Sequence, residues 1–256
     1  MRIGLIELNT KWESKGSNYE RVSSLIGLAA SKGCDAVVLP EMFNTGFSMN
    51  IDRIGEEIEG SANIFLSEVS EKFRINIIAG YPVKDAGDKK GRNIAAVYNR
   101  KGLRIAEYAK VHLFKPLKEH LFYGAGTDTV IFNIDGIASS VFICFDLRFP
   151  ELFRKVAKDV QMIFVLANWP SSREDHWITL LKARAIENQC FVIGVNRKGI
   201  DGNNIHYSGC SRIFSPVGEE IRLKHEDDEL LIGDIEPGEV ITTRSKYPFL
   251  EGTIFF

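Results

Sequence analysis

Near-continuous apolar runs, separated by helix-like segments, are the feature that most constrains the fold of this chain. The runs DAVVLPE at residues 35–41 and QMIFVLAN at 161–168 lack the polar alternation of a half-exposed strand. Such runs are typical of strands that are covered on both faces. The segment NYERVSSLIGLAASKG at 18–33 has apolar positions three and four apart and a glycine at its end, which predicts an amphipathic helix.

The remaining patterns extend this alternation along the whole chain. Further strands are predicted at residues 2–8, 75–83, 93–99, 103–113, 129–134, 137–144, 190–196, 208–216 and 229–235, and further helices at 61–74, 150–159 and 176–189. Helices alternate with buried-type strands in the first half, and hairpins interleave later. This order predicts an α/β fold with mixed sheets flanked by helices, and not an all-parallel barrel. Because no linker or repeat interrupts the chain, we expect one domain over residues 1–256.

Charge and hydropathy exclude two classes of partner. The chain of 256 residues has a formal net charge of −2, which gives no electrostatic basis for binding nucleic acid or a membrane surface. The start MRIGLIEL is too short and too charged for a signal peptide, and no stretch approaches the roughly 20 apolar residues of a membrane span. We therefore expect a cytoplasmic protein.

Four cysteines stand far apart in the sequence, at Cys34, Cys144, Cys190 and Cys210. They form no C-x-x-C pair, and no histidine lies at the spacing of a metal-ligand set. The sequence therefore predicts no structural zinc site, and free thiols in a reducing compartment. For Cys34, Cys190 and Cys210 we expect buried, unreactive side chains.

Four polar residues close predicted strands, where functional groups gather in α/β folds. Glu41 follows AVVLP, Lys110 follows IAEYA, Cys144 follows SSVFI and Asn168 follows MIFVLA. Each has an ordinary alternative when taken alone: Glu41 as a solvated loop residue, Lys110 as a surface lysine, and Cys144 as a small core residue. Because four such residues occur together at strand ends, we hypothesise that they form a reactive site.

The types of these residues suit nucleophilic catalysis. A thiol reacts as its thiolate, so Cys144 needs a base or a positive charge nearby. Glu41 is the candidate base, Lys110 the candidate cation for an oxyanion, and the N–H of Phe145 a second donor. Together they would transfer an acyl group through a thioester. A histidine base is the alternative, and sequence distance excludes none of His112, His120, His176, His206 and His225.

Three segments together resemble a known family. LPEMFNTGF, YAKVHLF and ICFDLRFPELFR are similar, in order and spacing, to the signature segments of the nitrilase superfamily of carbon–nitrogen hydrolases. The resemblance implies that Glu41 is the general base, Lys110 the oxyanion stabiliser and Cys144 the nucleophile. It also implies that Glu119, in KEHLFYGAG, positions the lysine and the substrate amide.

The stretch at residues 167–219 resembles the omega-amidase branch, which includes the bacterial YafV-like proteins. This resemblance implies a four-layer αββα sandwich, a homodimer, and neither a metal nor an organic cofactor. It implies water and a small-molecule amide as reactants, with 2-oxoglutaramate and 2-oxosuccinamate as expected substrates. Alternative substrates are another small linear amide or an N-carbamoyl compound. A further alternative is a catalytically idle member that only binds a small molecule or a partner protein.

Substrate recognition is where the sequence gives the weakest signals. A short acidic amide needs a cation for its carboxylate, and arginine binds carboxylates in a bidentate manner. Arg173 and Arg148 are candidates, although the sequence favours Arg148 pairing with Asp146 or Glu151 to hold the turn. The substrate-binding residues expected at this stage are Phe43, Asn168, Trp169 and Arg173, and Phe47 and Phe145 are further candidates for an aromatic pocket wall.

Overall fold

A computed structural model describes residues 1–252 of the chain, so the last four residues of the expected domain lie outside the described part. The helices are α1 Lys15–Ser31, α2 Ile51–Ile54, α3 Ser61–Phe73, α4 Glu119–Phe122, α5 Pro150–Val156, α6 Glu174–Asn188 and α7 Gly238–Lys246. The strands are β1 Arg2–Ile6, β2 Ala36–Val38, β3 Asn76–Val83, β4 Gly91–Tyr98, β5 Arg104–Ala109, β6 Tyr123–Gly124, β7 Phe132–Ile134, β8 Ile137–Ile143, β9 Met162–Ala167, β10 Phe191–Asn196, β11 Lys198–Ile200, β12 His206–Ser208, β13 Arg212–Phe214, β14 Lys224–Asp227 and β15 Leu230–Asp234.

Two mixed sheets form the body of the molecule. The first has the order β14-β15-β1-β2-β3-β4-β5, with β6 paired to β4. Its centre, β1-β2-β3, is parallel, and the strands on either side run antiparallel. The second sheet has the order β13-β10-β9-β8-β7, with a parallel centre of β8, β9 and β10. The predicted α/β class with mixed sheets is confirmed.

Side chains of β2 show how the layers are stacked. Ala36 and Val38 point into the core shared with the second sheet, while Val37 points into the core beneath α1 and α3. All three are fully buried, as expected for a strand covered on both faces. On the far side, α6 packs against β10 through Trp177 and Leu181. The order of layers is therefore helices, sheet, sheet, helices, which is the expected αββα sandwich.

The structure differs from the sequence-based elements at several places, and α2, β11 and β14 are among the elements that were not predicted. The run at 208–216 is not one strand, because Gly209 and Cys210 both have positive φ angles, of 72° and 58°, and break it between β12 and β13. The sequence predicts no helix or strand at residues 114–126, where the structure has α4 and β6. Helix α7 was not predicted, because its apolar residues Val240 and Ile241 are adjacent and no apolar residue follows them at a spacing of three or four within the helix. Within residues 1–252, no helix combines the length and the apolar character needed to cross a membrane.

Phe164→Ala tests the shared core between the sheets. Phe164 lies on β9 with no exposed surface, and truncating such a side chain leaves a cavity that costs about 3–5 kcal/mol. We expect a lower midpoint of urea unfolding with an unchanged slope. Phe249→Ala is the matched control, because Phe249 is 71% exposed and its truncation should change stability by about 0.5 kcal/mol or less. Equal losses in the two variants would contradict this assignment of the core.

Candidate active site

The four polar residues that close predicted strands meet at one edge of the sandwich. Lys110 directly follows β5, Cys144 directly follows β8, and Asn168 directly follows β9. Glu41 lies three residues beyond β2. Because β2 belongs to the first sheet and β8 and β9 to the second, the site is built where the ends of the two sheets face each other.

Lys110 is buried between two glutamates. Its Nζ lies 2.8 Å from Glu41 Oε1 and 3.1 and 3.0 Å from the two carboxylate oxygens of Glu119. All three side chains have no exposed surface, so neither Glu41 nor Lys110 is the surface residue that the sequence left open. Burial works to lower the pKa of Lys110, but the carboxylates of Glu119 and Glu41 outweigh it and raise that pKa, so the ammonium stays charged.

The carboxylate of Glu41 is fixed from a second direction by Asn168. The backbone N–H of Asn168 donates to Glu41 Oε2 at 2.9 Å, and its side-chain amide donates to the backbone carbonyl of Glu41 at 2.6 Å. Gly80 on β3 lies directly behind Glu41, where an added Cβ would be 2.8 Å from Glu41 Cα. The strand end, Asn168 and Gly80 therefore leave the Glu41 carboxylate little freedom to move.

Glu119 is held as firmly, although it lies on a helix of only four residues. The N–H of Phe114 donates to Glu119 Oε2 at 2.5 Å, in addition to the contacts from Lys110. Burial raises the pKa of Glu119, the ammonium of Lys110 lowers it, and the carboxylate of Glu41 raises it again. The placement beside Lys110 agrees with the positioning role that the family resemblance implies.

Cys144 sits at the start of a 3-10 turn over Cys144–Arg148 and has a φ of 48°. This left-handed conformation is costly for a residue other than glycine and is typical of functional sites. The Sγ atom faces the pocket and lies 3.7 Å from the backbone carbonyl of Asn168. Burial and the nearby Glu41 raise the pKa of the Cys144 thiol, and Lys110 acts against them. The thiol is therefore protonated at rest and needs a base when it reacts.

The turn that carries Cys144 is anchored by Asp146, a role that sequence reasoning missed. Asp146 is fully buried, and it accepts hydrogen bonds from Tyr108 Oη and from the N–H groups of His112 and Ile143. His112 also contacts Asp146 through Nδ1 at 3.1 Å. Among the described residues, neither Glu41 nor a histidine forms a hydrogen bond with Cys144. The nearby carboxylate of Glu41 raises the pKa of the thiol and no histidine acts on it, so the geometry favours Glu41 over a histidine as the candidate base.

A cavity of about 310 Å³ opens in front of Cys144. Its lining residues include Phe47, Phe114, Phe145, Trp169 and Tyr207. The ring of Phe47 also lies 5.0 Å from Lys110 Nζ. The expected aromatic wall is thus present, and Tyr207 is a member that no sequence pattern indicated. The N–H of Phe145 lies in the first turn of the 3-10 helix, where backbone donors have no acceptor within the helix.

Phe43 is a correction to the expected pocket. The structure does not place it among the residues that line the cavity. Its ring is fully buried beside the stacked rings of Tyr19 and Phe65, with centroid distances of 6.0 and 6.3 Å, in the core on the helix side of the first sheet. The two aromatic residues of MFNTGF therefore point in opposite directions, since only Phe47 faces Cys144.

Two arginines line the same cavity. The guanidinium of Arg148 lies over the ring of Trp169 at 4.8 Å, and that of Arg173 lies over the ring of Phe114 at 5.7 Å. Burial and the charge of Arg173 lower the pKa of Arg148, which shows that the two cations repel each other. Among residues 1–252 neither has a carboxylate within 4 Å, so the expected pairing of Arg148 with Asp146 or Glu151 is wrong. Asp146 instead accepts hydrogen bonds from Tyr108 and His112.

The arrangement suits attack by a thiol on a carbonyl carbon, with a carboxylate as proton acceptor and an ammonium beside the forming oxyanion. The cavity is apolar around the thiol and positively charged toward Arg148 and Arg173. In the part of the chain that the structure describes, no group of three or more His, Cys, Asp and Glu side chains is placed to hold a metal ion.

Comparison with known proteins gives consistent matches over nearly the whole chain. The model of the carbon–nitrogen hydrolase family matches residues 2–245. The 2-oxoglutaramate amidase of Bacillus subtilis is 36% identical over 252 residues, covering 97% of this chain and 96% of that protein. The omega-amidase YafV of Escherichia coli K12 is 34% identical over 221 residues, covering 86% and 84%. The crystal structure of a CN-hydrolase superfamily protein from Xanthomonas campestris, with an arsenic adduct in its active site, superposes with a TM-score of 0.92 at 31% identity, covering 100% and 98%.

Lys110→Met tests the buried charge cluster. The variant leaves Glu41 and Glu119 buried without their cation, and breaking a buried ion pair costs about 3–5 kcal/mol of unfolding free energy. In the variant the folded-state pKa of one carboxyl should rise above its unfolded value, so stability is retained at low pH and lost as pH rises through that pKa. The deficit relative to wild type should therefore be larger at pH 8 than at pH 5, as measured by urea unfolding.

Lys101→Met is the control for Lys110→Met, because Lys101 is exposed. We expect it to unfold like wild type at both pH values. A Lys110→Met variant that is as stable as wild type at pH 8 would contradict the cluster geometry.

Proposed function

The chain belongs to the carbon–nitrogen hydrolase family and is an amidase, and from this premise we propose that it is an omega-amidase that releases ammonia from the terminal amides of 2-oxo acids. 2-Oxoglutaramate and 2-oxosuccinamate are the proposed substrates. The observation that carries the proposal is the cavity in front of Cys144, which combines an apolar wall with two arginines that have no carboxylate partner among the described residues. The name and high coverage of the Bacillus relative support the same choice.

In the proposed reaction, Cys144 Sγ attacks the amide carbon while Glu41 accepts the thiol proton. The oxyanion of the tetrahedral intermediate accepts hydrogen bonds from Lys110 Nζ and the N–H of Phe145. Collapse breaks the carbon–nitrogen bond, and ammonia leaves with the proton that Glu41 returns. Water then attacks the thioester carbon with Glu41 again accepting a proton, which releases the carboxylic acid and restores the thiol.

The proposed mechanism assigns separate tasks to the two glutamates. Glu41 is tied to Asn168 at the strand end next to Cys144, so it can exchange protons with the thiol and the leaving nitrogen. Both carboxylate oxygens of Glu119 accept hydrogen bonds from Lys110 Nζ, which keeps the ammonium charged and oriented toward the site. The raised pKa of Cys144 supports this scheme, because a thiol that is protonated at rest depends on a base.

Substrate recognition follows from the arginines at the mouth of the cavity. A 2-oxo acid amide has a carboxylate and an adjacent carbonyl oxygen at the end remote from its amide. Arg173 is proposed to bind the carboxylate, and Arg148, 4.8 Å above Trp169, to contribute a second positive charge. Asn168 and Trp169 would border the chain of the substrate between these ends.

Three further parts of the proposal concern the whole protein. We treat residues 1–256 as one catalytic domain, since the family match extends over 2–245. Catalysis needs Cys144 to stay reduced, which favours the cytoplasm. A homodimer is proposed through the helices of the second sheet, where Ile186 on α6 is 46% exposed and Val217 beside it is 51% exposed. Light scattering of the purified protein measures this assembly directly.

Ammonia release from a panel of amides tests the proposed substrate. We expect turnover of 2-oxoglutaramate and 2-oxosuccinamate, much weaker turnover of glutamine and an N-carbamoyl amino acid, and none by Cys144→Ala with its fold intact by circular dichroism. Cys34→Ala is the matched control, since burial raises the pKa of Cys34 to about 12 and its thiol lies outside the site. Ammonia release by Cys144→Ala would refute the thioester mechanism, and silence on both 2-oxo amides would refute the substrate.

Arg173→Ala tests the carboxylate contact. A charge-assisted hydrogen bond contributes about 1.5–3 kcal/mol, so kcat/KM for 2-oxoglutaramate should fall roughly tenfold to a hundredfold. The value for a neutral amide of similar length, such as butyramide, should change little. Arg222→Ala, at an exposed arginine, is the control and should behave like wild type on both substrates. Equal losses on the acidic and neutral amides would show that Arg173 supports the pocket and does not bind the carboxylate.

A further inference from the structure

A buried asparagine on β4 contacts both glutamates of the site. The side-chain nitrogen of Asn93 lies 2.7 Å from Glu41 Oε1 and 3.0 Å from Glu119 Oε1. An amide NH₂ group has two hydrogens, so one can be donated to each carboxylate. Asn93 has no exposed surface, and it does not line the cavity. Its contacts are therefore with the catalytic groups and not with the substrate.

The orientation of this amide follows from charge. Carboxylate oxygens accept hydrogen bonds, so only the NH₂ side of Asn93 can face Glu41 and Glu119. Turned this way, Asn93 Oδ1 is buried with no hydrogen-bond partner among the described residues. A buried oxygen without a donor lowers stability, and a leucine of the same size would avoid that cost. Packing of the strand alone therefore does not account for an asparagine here.

The charges around Asn93 explain what its donors do. Glu41 and Glu119 bring two negative charges into a buried space, and Lys110 brings one positive charge. Among residues 1–252, the other titratable side chains that act on this cluster are Cys144 and Tyr123. Burial raises the pKa of both, so both are neutral at rest. One negative charge is thus left without a cation. Asn93 is the neutral group that donates to both carboxylates.

Asn93 also links β4 to the end of β5, where Lys110 lies. Its backbone carbonyl accepts the N–H of Lys110 at 2.9 Å, and β4 pairs with β5 up to Ala109, the residue before Lys110. The side chain and the main chain of Asn93 therefore fix all three charged groups relative to one another. A sequence signal exists in retrospect, since Asn93 is a polar residue that opens an otherwise apolar strand, NIAAVY.

We propose that Asn93 is a positioning residue that holds Glu41 and Glu119 ionised and correctly spaced around Lys110, so that Glu41 can accept the thiol proton of Cys144. The inference rests on the proposed roles of Glu41, Lys110 and Cys144. It does not depend on which amide is the substrate. Hydrogen bonds to the ionised form lower the pKa of a carboxyl, so removal of the Asn93 donors should raise it.

The test compares wild type with Asn93→Ala and Asn93→Asp. The measured quantity is the rate at which iodoacetamide alkylates Cys144 from pH 5 to 9, followed by mass spectrometry of the peptide that contains Cys144. The base works only when ionised, so a higher carboxyl pKa moves the acidic limb of the profile to higher pH. For Asn93→Ala we expect the acidic limb to move up by about one pH unit, which lowers the alkylation rate about tenfold at a given pH on that limb. Asn93→Asp adds a third carboxyl and should shift further.

The rate of amide hydrolysis is a second, independent measurement of the same effect. For an amide that wild type hydrolyses, kcat should fall with the same pH shift, while KM changes little because Asn93 does not line the cavity. Asn76→Ala is the matched control. Asn76 is a buried asparagine on β3 that donates to the carbonyl of Asp35 and to the carboxylate of Asp135, away from the site. It should lose stability with an unshifted pH profile.

The outcomes separate this inference from the proposed function. If wild type hydrolyses neither 2-oxo amide, the substrate is wrong, and the alkylation profile still decides the role of Asn93. A Cys144 profile that keeps its inflection in folded Asn93→Ala and Asn93→Asp would overturn the inference. So would a failure of both variants to fold while Asn76→Ala folds, because Asn93 would then be needed for the structure and not for the charge state of the carboxylates.

Discussion

The buried ammonium of Lys110 is the constraint on which the rest of the site depends. Removing an amine and two carboxylates from water is costly, and their mutual attraction repays that cost only in good geometry with every remaining donor and acceptor satisfied. Here the distances from Nζ to the two carboxylates lie between 2.8 and 3.1 Å. Further hydrogen bonds to these carboxylates come from Asn93 on β4, from Asn168 at the end of β9 and from the N–H of Phe114. The cluster can form only when both sheets and the segment at 114–122 are in place.

The proposed nucleophile, Cys144, depends on the same scaffold through a different set of contacts. Cys144 adopts a left-handed backbone conformation, which costs on the order of 1–3 kcal/mol and persists only where surrounding contacts enforce it. Asp146 supplies that enforcement, since it accepts hydrogen bonds from the N–H of Ile143 just before Cys144 and from Tyr108 on β5. Strand β5 therefore carries Lys110 at its end and, through Tyr108, holds the turn that carries the thiol. One strand sets the position of both groups.

Some of this organisation is readable in the sequence, and the reasons are physical. Glu41, Lys110, Cys144 and Asn168 were found because reactive residue types at the ends of apolar runs identify one edge of an α/β sandwich. Phe43 was misplaced because the direction of a loop side chain depends on backbone angles, here the positive φ of 47° at Met42, that residue types do not reveal. The pairing of Arg148 was wrong for a similar reason. Asp146 is near Arg148 in sequence, but its oxygens accept hydrogen bonds from Tyr108 on β5 of the first sheet and from His112, which follows that strand. Contacts between sheets leave no periodic signal.

The electrostatic polarity of the cavity links the buried cluster to the choice of substrate. The carboxyl groups of Glu41 and Glu119 lie behind the thiol around Lys110, while Arg148 and Arg173 place two positive charges toward the outside. For the proposed substrates this polarity favours one orientation, with the carboxylate at the arginines and the neutral amide at Cys144. The reverse orientation would bring the carboxylate toward two buried glutamates. After hydrolysis the new carboxylate forms on the side of these glutamates, so the same repulsion that orients the substrate favours release of the product.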